Sequence, residues 1–258
     1  MATTELASWY SAHGRHDLPW RETRERWFVL VSEVMLHQTQ VPRVLAAWPD
    51  FIGRFPTPEA MADAGPGAVI EAWGRLGYPR RARRLWESAV RIAALGWPDD
   101  LTELPGVGRY TAQAVLSQAD GQDAPAVEVN VRRVVERVTG RRLADREAEA
   151  AMVEIGAPLI GRDRLLALMD VGAGPCRPRE PRCQECPFTS RCATRGPLEL
   201  ETKSRQAPFE GSFRQRRGEV LARLRAGPTP IALLDARALR SLVTDGLAAI
   251  DDTTARLP

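Results

Sequence analysis

The sequence contains almost no lysine and no long apolar run. Lys203 is the only lysine among 36 basic residues, so arginine carries nearly all of the positive charge. A GC-rich genome would produce this bias, although arginine also binds phosphate bidentately, which lysine cannot do. No stretch of roughly eighteen apolar residues is present, which argues against a membrane-spanning helix. The first ten residues lack the basic and apolar regions of a secretory signal, so we expect a cytoplasmic protein.

Positive charge is concentrated in two segments of the chain. Residues 75–91 contain six arginines and one glutamate, and residues 203–225 contain Lys203, six arginines and two glutamates. Each segment therefore carries a local charge of +5, whereas the whole chain carries only +3. Such clusters suit a polyanionic partner, but a solvated helix face has the same composition. Charge alone leaves both interpretations open.

Apolar residues recur at helical spacing along most of the chain, which predicts an all-α protein. In residues 129–139 the valines occupy one face and the charged side chains the other, and Gly140 supplies a helix end. The charged side chains of this helix are those of Arg132, Arg133, Glu136 and Arg137. Further helices are predicted over residues 27–36, 81–95, 147–160 and 162–171.

The C-terminal part of the chain has a different pattern. Residues 197–211 predict a linker. Beyond it, residues 212–226 and 231–245 predict two short helices ahead of an extended tail. Helices followed by a short extended segment indicate a small winged-helix-like appendage over residues 212–258.

The four cysteines form one cluster in the sequence. Cys176, Cys183, Cys186 and Cys192 follow the spacing C-x6-C-x2-C-x5-C within a proline-rich stretch. In a chain without an export signal, such clustering favours a metal over disulfides. Zinc sites with four cysteines usually contain two C-x2-C pairs, whereas this chain has one pair and two single cysteines. We therefore expect a [4Fe–4S] cluster, with zinc or disulfides as the alternatives.

Residues 104–112 read LPGVGRYTA and combine a glycine turn with the start of a helix. Gly106 and Gly108 permit a tight turn, and backbone N–H groups at the start of the helix can hold a phosphate oxygen. A single Gly-x-Gly is a weak signal. It gains weight here because Glu128 follows twenty residues after Gly108, at the start of the next predicted helix.

Several motifs in one order resemble a known family. LPGVGRYTA, the acid in EVNVRRV and the four-cysteine pattern are similar to those of the helix-hairpin-helix DNA glycosylases of the endonuclease III superfamily. Within that superfamily, the chain resembles the adenine-mismatch glycosylases of the MutY type. The motifs that carry this resemblance are LPWR (18–21), VSEVMLHQTQV (31–41), LGYPRRAR (76–83) and LMDVGA (168–173).

The resemblance implies a two-lobed fold. A helical barrel at residues 25–125 would carry the hairpin, and a cluster domain would be built from residues 1–24 and 126–196. The target base would be flipped into the cleft between them, because a base cannot be attacked inside the stack. The 66 residues after Cys192 are too few for the Nudix-like domain that many relatives carry.

The resemblance also implies catalytic roles. Glu33 would protonate the adenine, and its apolar neighbours should favour the protonated form. Glu128 stands at the position of the family's essential aspartate and would stabilise the oxocarbenium-like sugar, in a pocket reshaped for the longer side chain. Asn130 and Tyr110 would orient the Glu128 carboxylate. Tyr110 replaces the lysine of members with lyase activity, which predicts a monofunctional enzyme.

A further group of residues matches the DNA contacts of the family. Gln38, Thr39 and Tyr78 match residues that probe the opposite base or wedge the duplex, and Arg21 matches a pocket residue. His37 departs from the family pattern, because it replaces the first glutamine of the usual Q-Q-T motif. The hairpin would add contacts from Gly106, Gly108 and Arg109.

The function expected from these observations is DNA repair. The protein would act as a nucleoid-associated monomer that binds double-stranded DNA and removes adenine opposite 8-oxoguanine or guanine. One alternative is a thymine or uracil mismatch glycosylase. The other is a lesion-binding protein whose catalysis is impaired by Glu128.

Overall fold

A computed structural model describes residues 3–198 and 208–258, and this part of the chain is predominantly helical. The prediction of an all-α class is confirmed. Most of the predicted linker, including Lys203, lies outside the described residues. The helices are α1 (Thr3–His13), α2 (Arg26–Leu36), α3 (Val41–Arg54), α4 (Pro58–Ala72), α5 (Arg80–Leu95), α6 (Arg109–Gln118), α7 (Val129–Thr139), α8 (Asp145–Gly156), α9 (Gly161–Ala173), α10 (Phe213–Ala226) and α11 (Ala236–Thr244). Of these helices, none is both long and apolar enough to cross a membrane.

Helix α7 has the bounds that the sequence predicts. Glu128 caps its N-terminus by accepting a hydrogen bond from a backbone N–H, and Gly140, with a φ of 77°, ends it. Arg133, Glu136 and Arg137 lie opposite the valines, yet they are buried as well. The cysteine-containing loop accepts hydrogen bonds from both arginines, whereas Glu136 accepts one from the N–H of Leu143 and pairs with Arg142.

One compact unit consists of the described residues of Met1–Leu30 and Gly108–Lys203. Its core forms where α7, α8 and α9 pack together, with α1 and α6 against α9. Val134, Met152, Leu165 and Phe188 are fully buried there. Burial of side chains of this size stabilises the fold by about 1.5 to 3 kcal/mol each, so this core is substantial.

A second compact unit consists of Val31–Val107 and the described residues of Ser204–Pro258. In this unit α4 packs along α5, and α3 packs on α4. Phe51, Phe55 and Trp73 form an aromatic group, with ring pairs edge-to-face at 5.0 and 5.7 Å. This geometry is the preferred one for aromatic pairs.

The C-terminal segment combines two helices with a small sheet. It contains three short strands, β1 (Thr229–Pro230), β2 (Ala249–Asp251) and β3 (Thr254–Arg256). The strands form an antiparallel sheet in the order β1-β3-β2, so that β2 and β3 make a hairpin after α11. The single helix predicted over 231–245 is instead a short 3-10 turn followed by α11, because Asp235 accepts a hydrogen bond from the N–H of Ala238 and caps a new helix.

The two compact units are defined by contacts within the structure, and they are not the same as the functional domains expected from the sequence. The packing units divide after Leu30 and Val107, and α6 packs on α9 within the first unit. The described part of the C-terminal segment is grouped with the second unit. The functional division into a barrel and a cluster domain stays a prediction.

Arginines of α5 hold the C-terminal segment in the second unit. Asp245, which follows α11, accepts hydrogen bonds from Arg80 of α5 and Arg217 of α10. The backbone oxygen of Gly246 accepts a hydrogen bond of 2.6 Å from Arg83. Part of the positive charge in residues 75–91 is therefore used for contacts within the protein.

Candidate active site

Glu128 lies at the N-terminus of α7, where two donors hold its carboxylate. Oε1 accepts a hydrogen bond of 2.9 Å from the N–H of Val131, and Oε2 accepts one of 3.0 Å from the side-chain amide of Asn130. Burial raises the pKa of Glu128, and these hydrogen bonds and the charge of Arg133 oppose that shift only in part. A carboxylate held in place and largely shielded from water can stabilise a developing positive charge.

Arg133 connects this carboxylate with the cysteine-containing loop. Its Nη2 donates to Asn130 Oδ1 at 2.7 Å and to the oxygen of Gly172 at 2.6 Å, and its Nε donates to the oxygen of Cys176 at 2.7 Å. Since the amide oxygen of Asn130 faces Arg133, its amide nitrogen is directed towards Glu128. A Cβ atom on Gly172 would collide with Asn130, so glycine is required where α9 passes α7.

The four cysteines are all within the described residues and form no disulfide. Burial, together with the nearby thiols of Cys176, Cys192 and Cys183, raises the pKa of Cys186 to about 12. Arg137 donates a hydrogen bond of 3.5 Å to the sulfur of Cys176. Among the described residues, no group of three His, Cys, Asp or Glu side chains is arranged around a single metal ion.

Four cysteine sulfurs are a donor set that an iron–sulfur cluster or a zinc ion can use. A zinc site needs all of its sulfur ligands at about 2.3 Å from one ion. In a cluster each cysteine binds a different iron, so the sulfurs lie further apart. Hydrogen bonds to the sulfurs, such as the one from Arg137, are a known means of tuning such clusters.

Glu33 lies on α2 and is almost completely buried, with 4% of its surface exposed. Its apolar surroundings are as expected, since Val31, Val34 and Met35 are buried beside it. Ser32 is the polar neighbour in the chain and is also buried. The buried position makes Glu33 a candidate for proton transfer away from bulk water.

Two turns of the second unit carry residues predicted to probe DNA. The HQTQ turn (37–40) follows α2, and the LGYP turn (76–79) precedes α5. Gln38 and Tyr78 both have positive φ values, 55° and 46°, and both side chains are exposed. Thr39 is buried instead, and its hydroxyl donates a 3.0 Å hydrogen bond to a backbone oxygen of the LGYP turn. Gln38 and Tyr78 are thus presented to solvent, whereas Thr39 joins the two turns.

His37 is the one titratable residue of the HQTQ turn. It is half-buried at the end of α2. Burial, and then the charge of Arg81, lower the pKa of His37 below its ordinary value. The imidazole is therefore neutral at physiological pH and can act as both donor and acceptor.

The two glycines of the hairpin, Gly106 and Gly108, are needed for different reasons. Gly106 has a φ of 82°, and a Cβ there would lie 2.9 Å from Cβ of Arg84, so the fold itself requires glycine. Gly108 has a φ of −93°, and no described atom lies within 4 Å of a Cβ built on it. It caps α6, whose first helical hydrogen bond runs from the N–H of Ala112 to the oxygen of Gly108. The missing side chain leaves room for an external group at the helix N-terminus.

Arg21 and Arg109 form ion pairs within the first unit. Arg109 binds Glu149 at the surface through two hydrogen bonds of 2.9 and 2.7 Å. Arg21 is nearly buried and binds Asp170 bidentately at 2.7 and 2.9 Å. Burial alone would raise the pKa of Asp170, but Arg21 and Arg15 hold it below its usual range. The aspartate of the LMDVGA motif therefore serves as the ion-pair partner of Arg21.

The predicted catalytic residues fall in both units. Glu128 and Asn130 contact each other in the first unit, where Tyr110 is half-buried against the core. Glu33 belongs to the second unit, on the helix that leads to the HQTQ turn. The catalytic and DNA-binding roles of all these residues stay predictions.

Comparison with known proteins identifies the family. The pattern of the HhH-GPD superfamily of base excision DNA repair proteins matches residues 31–158, a span that includes Glu33, the hairpin and Glu128. The adenine DNA glycosylase of Mycolicibacterium smegmatis is 43% identical over 96% of this chain and 92% of its own length. The chain belongs to the HhH-GPD superfamily. The resemblance inferred from the motifs is thereby confirmed.

Two further similarities agree with this membership. The adenine DNA glycosylase of Mycobacterium tuberculosis is 42% identical over 96% of this chain and 90% of its own length. The solved structure of a thermostable thymine-DNA glycosylase has a TM-score of 0.67 at 28% identity, covering 74% of this chain and 93% of that one. The predictions of a helix-hairpin-helix glycosylase fold and of a DNA glycosylase are confirmed.

The sequence did not reveal what two of its arginines do. Arg133 lies in EVNVRRV and Arg81 in LGYPRRAR, both of which were recognised as motifs. Arg81 belongs to the charge cluster at 75–91, for which a solvated face and a polyanion contact were both open, and Arg133 was placed only on the charged face of its helix. In the structure Arg133 is buried and Arg81 half-buried, and both bind neutral oxygens. Their position next to the candidate residues in the motifs was the one available signal.

Proposed function

We propose that the protein is a monofunctional DNA glycosylase that hydrolyses the bond between adenine and deoxyribose when adenine is mispaired with 8-oxoguanine or guanine. The observation that carries this proposal is the buried carboxyl group of Glu33 and the half-buried, hydrogen-bonded carboxyl group of Glu128, within a chain similar to two adenine DNA glycosylases over 96% of its length. Double-stranded DNA is the partner, and the enzyme acts on the nucleoid as a monomer.

Each carboxyl group has one task in the proposed reaction. Glu33 donates a proton to the flipped adenine, so that the base leaves in a neutral form. Glu128, as a carboxylate, stabilises the positive charge that develops on the sugar and orients the attacking water. Asn130 keeps one Glu128 oxygen in place, and the N–H of Val131 holds the other.

The cysteine-containing loop is proposed to hold a [4Fe–4S] cluster through Cys176, Cys183, Cys186 and Cys192. When bound, the cluster supplies a rigid cross-link of this loop, beside the end of α7. Ultraviolet–visible spectroscopy and metal analysis of anaerobically purified protein test the assignment, with about four irons per chain expected. A colourless protein with one zinc per chain would contradict it.

The absence of lyase activity follows from Tyr110 and from the scarcity of lysine. A Schiff base with the abasic sugar needs an amine, and Lys203 is the only lysine in the sequence. We expect no covalent adduct with abasic DNA after borohydride treatment. A trapped adduct that survives in Lys203→Ala would show that another amine is active.

A thymine mismatch glycosylase is the second candidate, because the fold is similar to the thermostable thymine-DNA glycosylase at a TM-score of 0.67. Single-turnover assays on duplexes with adenine, thymine, uracil or hypoxanthine, each opposite guanine or 8-oxoguanine and followed by alkali, separate the two. Adenine excision that is lost in Glu33→Gln and Glu128→Gln supports the proposal. The exposed Glu71→Gln is a matched control. Tight binding of the duplex without base release would favour a lesion-binding protein.

A further inference from the structure

We propose that Arg81 is a positioning residue that fixes the HQTQ and LGYP turns, and with them Gln38 and Tyr78, against the end of the helix that carries Glu33. This inference rests on the proposed function. In this proposal Arg81 does not contact the reacting atoms. It affects which base opposite adenine is accepted, because it holds Gln38 and Tyr78 in place.

The guanidinium of Arg81 bridges three pieces of chain within the second unit. Nη1 donates to the last carbonyl groups of α2, at 2.7 Å to Val34 and 3.1 Å to Met35. Nη2 donates at 2.9 Å to the hydroxyl of Thr39, and at 3.2 and 3.1 Å to the oxygens of Leu76 and Gly77. One side chain therefore closes the end of α2 and ties both turns to it.

The two turns need such support because their exposed tips are strained. Gln38 and Tyr78 have φ values of 55° and 46°, a left-handed region that is unfavourable for residues other than glycine. Such strain persists only where surrounding contacts impose it, and it is common at functional sites. The guanidinium of Arg81 also lies over the rings of Trp73 and Tyr78, at 5.1 and 5.5 Å, which adds cation–π contacts beside the exposed tyrosine.

The environment of Arg81 argues against a purely structural role. Within the described part of the chain its acceptors are all neutral oxygens, and its Nε is buried without a hydrogen-bond partner. An arginine selected for stability alone would gain more from a carboxylate partner and full hydrogen bonding. Here the fork geometry is used to span two turns, which a lysine ammonium cannot do.

The test compares Arg81→Lys with Arg81→Met and with the exposed Arg54→Lys as matched control. Two readouts are needed. The first is the ratio of single-turnover excision rates for adenine opposite 8-oxoguanine and adenine opposite cytosine. The second is the fluorescence of 2-aminopurine placed beside the partner base, in a Glu33→Gln background where no base is released. An inserted wedge unstacks 2-aminopurine and raises its fluorescence.

We expect Arg81→Lys to reduce the ratio of excision rates roughly tenfold and to abolish most of the fluorescence increase, because misplacement of about 1 Å suffices for such losses. Its melting temperature and its affinity for undamaged duplex should stay close to those of Arg54→Lys. Arg81→Met should show the same loss of the rate ratio and of the fluorescence increase. If Arg81→Met does not fold, Arg81→Lys carries the test alone, since it keeps the charge and similar size.

Two results would overturn the inference. One is an Arg81→Lys protein with an unchanged rate ratio and unchanged fluorescence. The other is equal loss of excision opposite both partner bases with unchanged fluorescence, which indicates a general structural role. If the wild-type protein excises no adenine from any duplex, the proposed function fails, and the fluorescence readout still decides whether Arg81 positions the turns.

Discussion

Arg133 binds Asn130 and the oxygen of Cys176 with the same guanidinium, so the residue that orients Glu128 is fixed from the cysteine-containing loop. The two contacts, at 2.7 Å each, use different nitrogens of one planar group. Any change in the loop that moves the oxygen of Cys176 therefore shifts the support of the candidate catalytic carboxylate.

The first prediction concerns Arg133→Lys. A single ammonium cannot reproduce the forked contacts to Asn130, Gly172 and Cys176, so we expect a roughly 10- to 100-fold lower single-turnover excision rate. Arg132→Lys is the matched control, because Arg132 lies on the same helix and binds Leu143 and Asp145 away from Glu128. A rate for Arg133→Lys equal to that of the control would show that Asn130 needs no support.

The second prediction concerns the length of the side chain at position 128. If the pocket is built for glutamate, Glu128→Asp withdraws the carboxylate by about one C–C bond and should lower the excision rate roughly 100-fold. Glu128→Gln should remove activity while keeping the Oε1 contact to Val131. The measurement is the single-turnover rate with adenine opposite 8-oxoguanine. A faster Glu128→Asp enzyme would indicate that glutamate is an impairment.

The third prediction concerns pH. Burial raises the pKa of Glu128 above its ordinary 4.5, so the carboxylate needed for catalysis forms only at higher pH. The acid limb of the rate profile should therefore lie above pH 4.5. The folded protein also binds the Glu128 proton more tightly than the unfolded chain does. Protonation of Glu128 therefore stabilises the fold at acidic pH, and this contribution is lost as the pH rises through the pKa of Glu128 in the folded protein.

The same linkage predicts an effect on stability. At pH 7 to 8 Glu128→Gln should unfold at a higher temperature than the wild type, because it removes a buried charge, and this gain should disappear near pH 4. Thermal unfolding at both pH values is the measurement. A variant that is less stable than the wild type at neutral pH would contradict the raised pKa.

The fourth prediction separates the two hairpin glycines. Gly106→Ala should lower the free energy of unfolding by about 1 to 2 kcal/mol, because a side chain at positive φ is strained and meets Arg84. Gly108→Ala should leave stability unchanged but weaken duplex binding, since its added methyl group points into open space at the start of α6. Binding is measured by fluorescence anisotropy. Equal affinities of the wild type and Gly108→Ala for the duplex would show that the hairpin does not contact DNA.

The sequence by itself determined the helical class, several helices such as α7, the hairpin, the cysteine pattern and the family. Helical periodicity and caps are local properties, so the bounds of α7 could be read directly from Glu128, the valines and Gly140. The order of the motifs was also informative. Several short motifs in a fixed order identify a family, whereas each motif alone does not.

Only the tertiary structure decided how the charged residues are used. Arg81 and Arg133 have the sequence signature of surface arginines, yet both bind backbone oxygens inside the protein. Gly106 and Gly108 look alike in the sequence, and only the position of Arg84 distinguishes them. Contacts of this kind join residues far apart in the chain, and they depend on which surfaces meet after the helices pack. Periodicity places a charge on one side of its helix, but packing decides whether that side is covered.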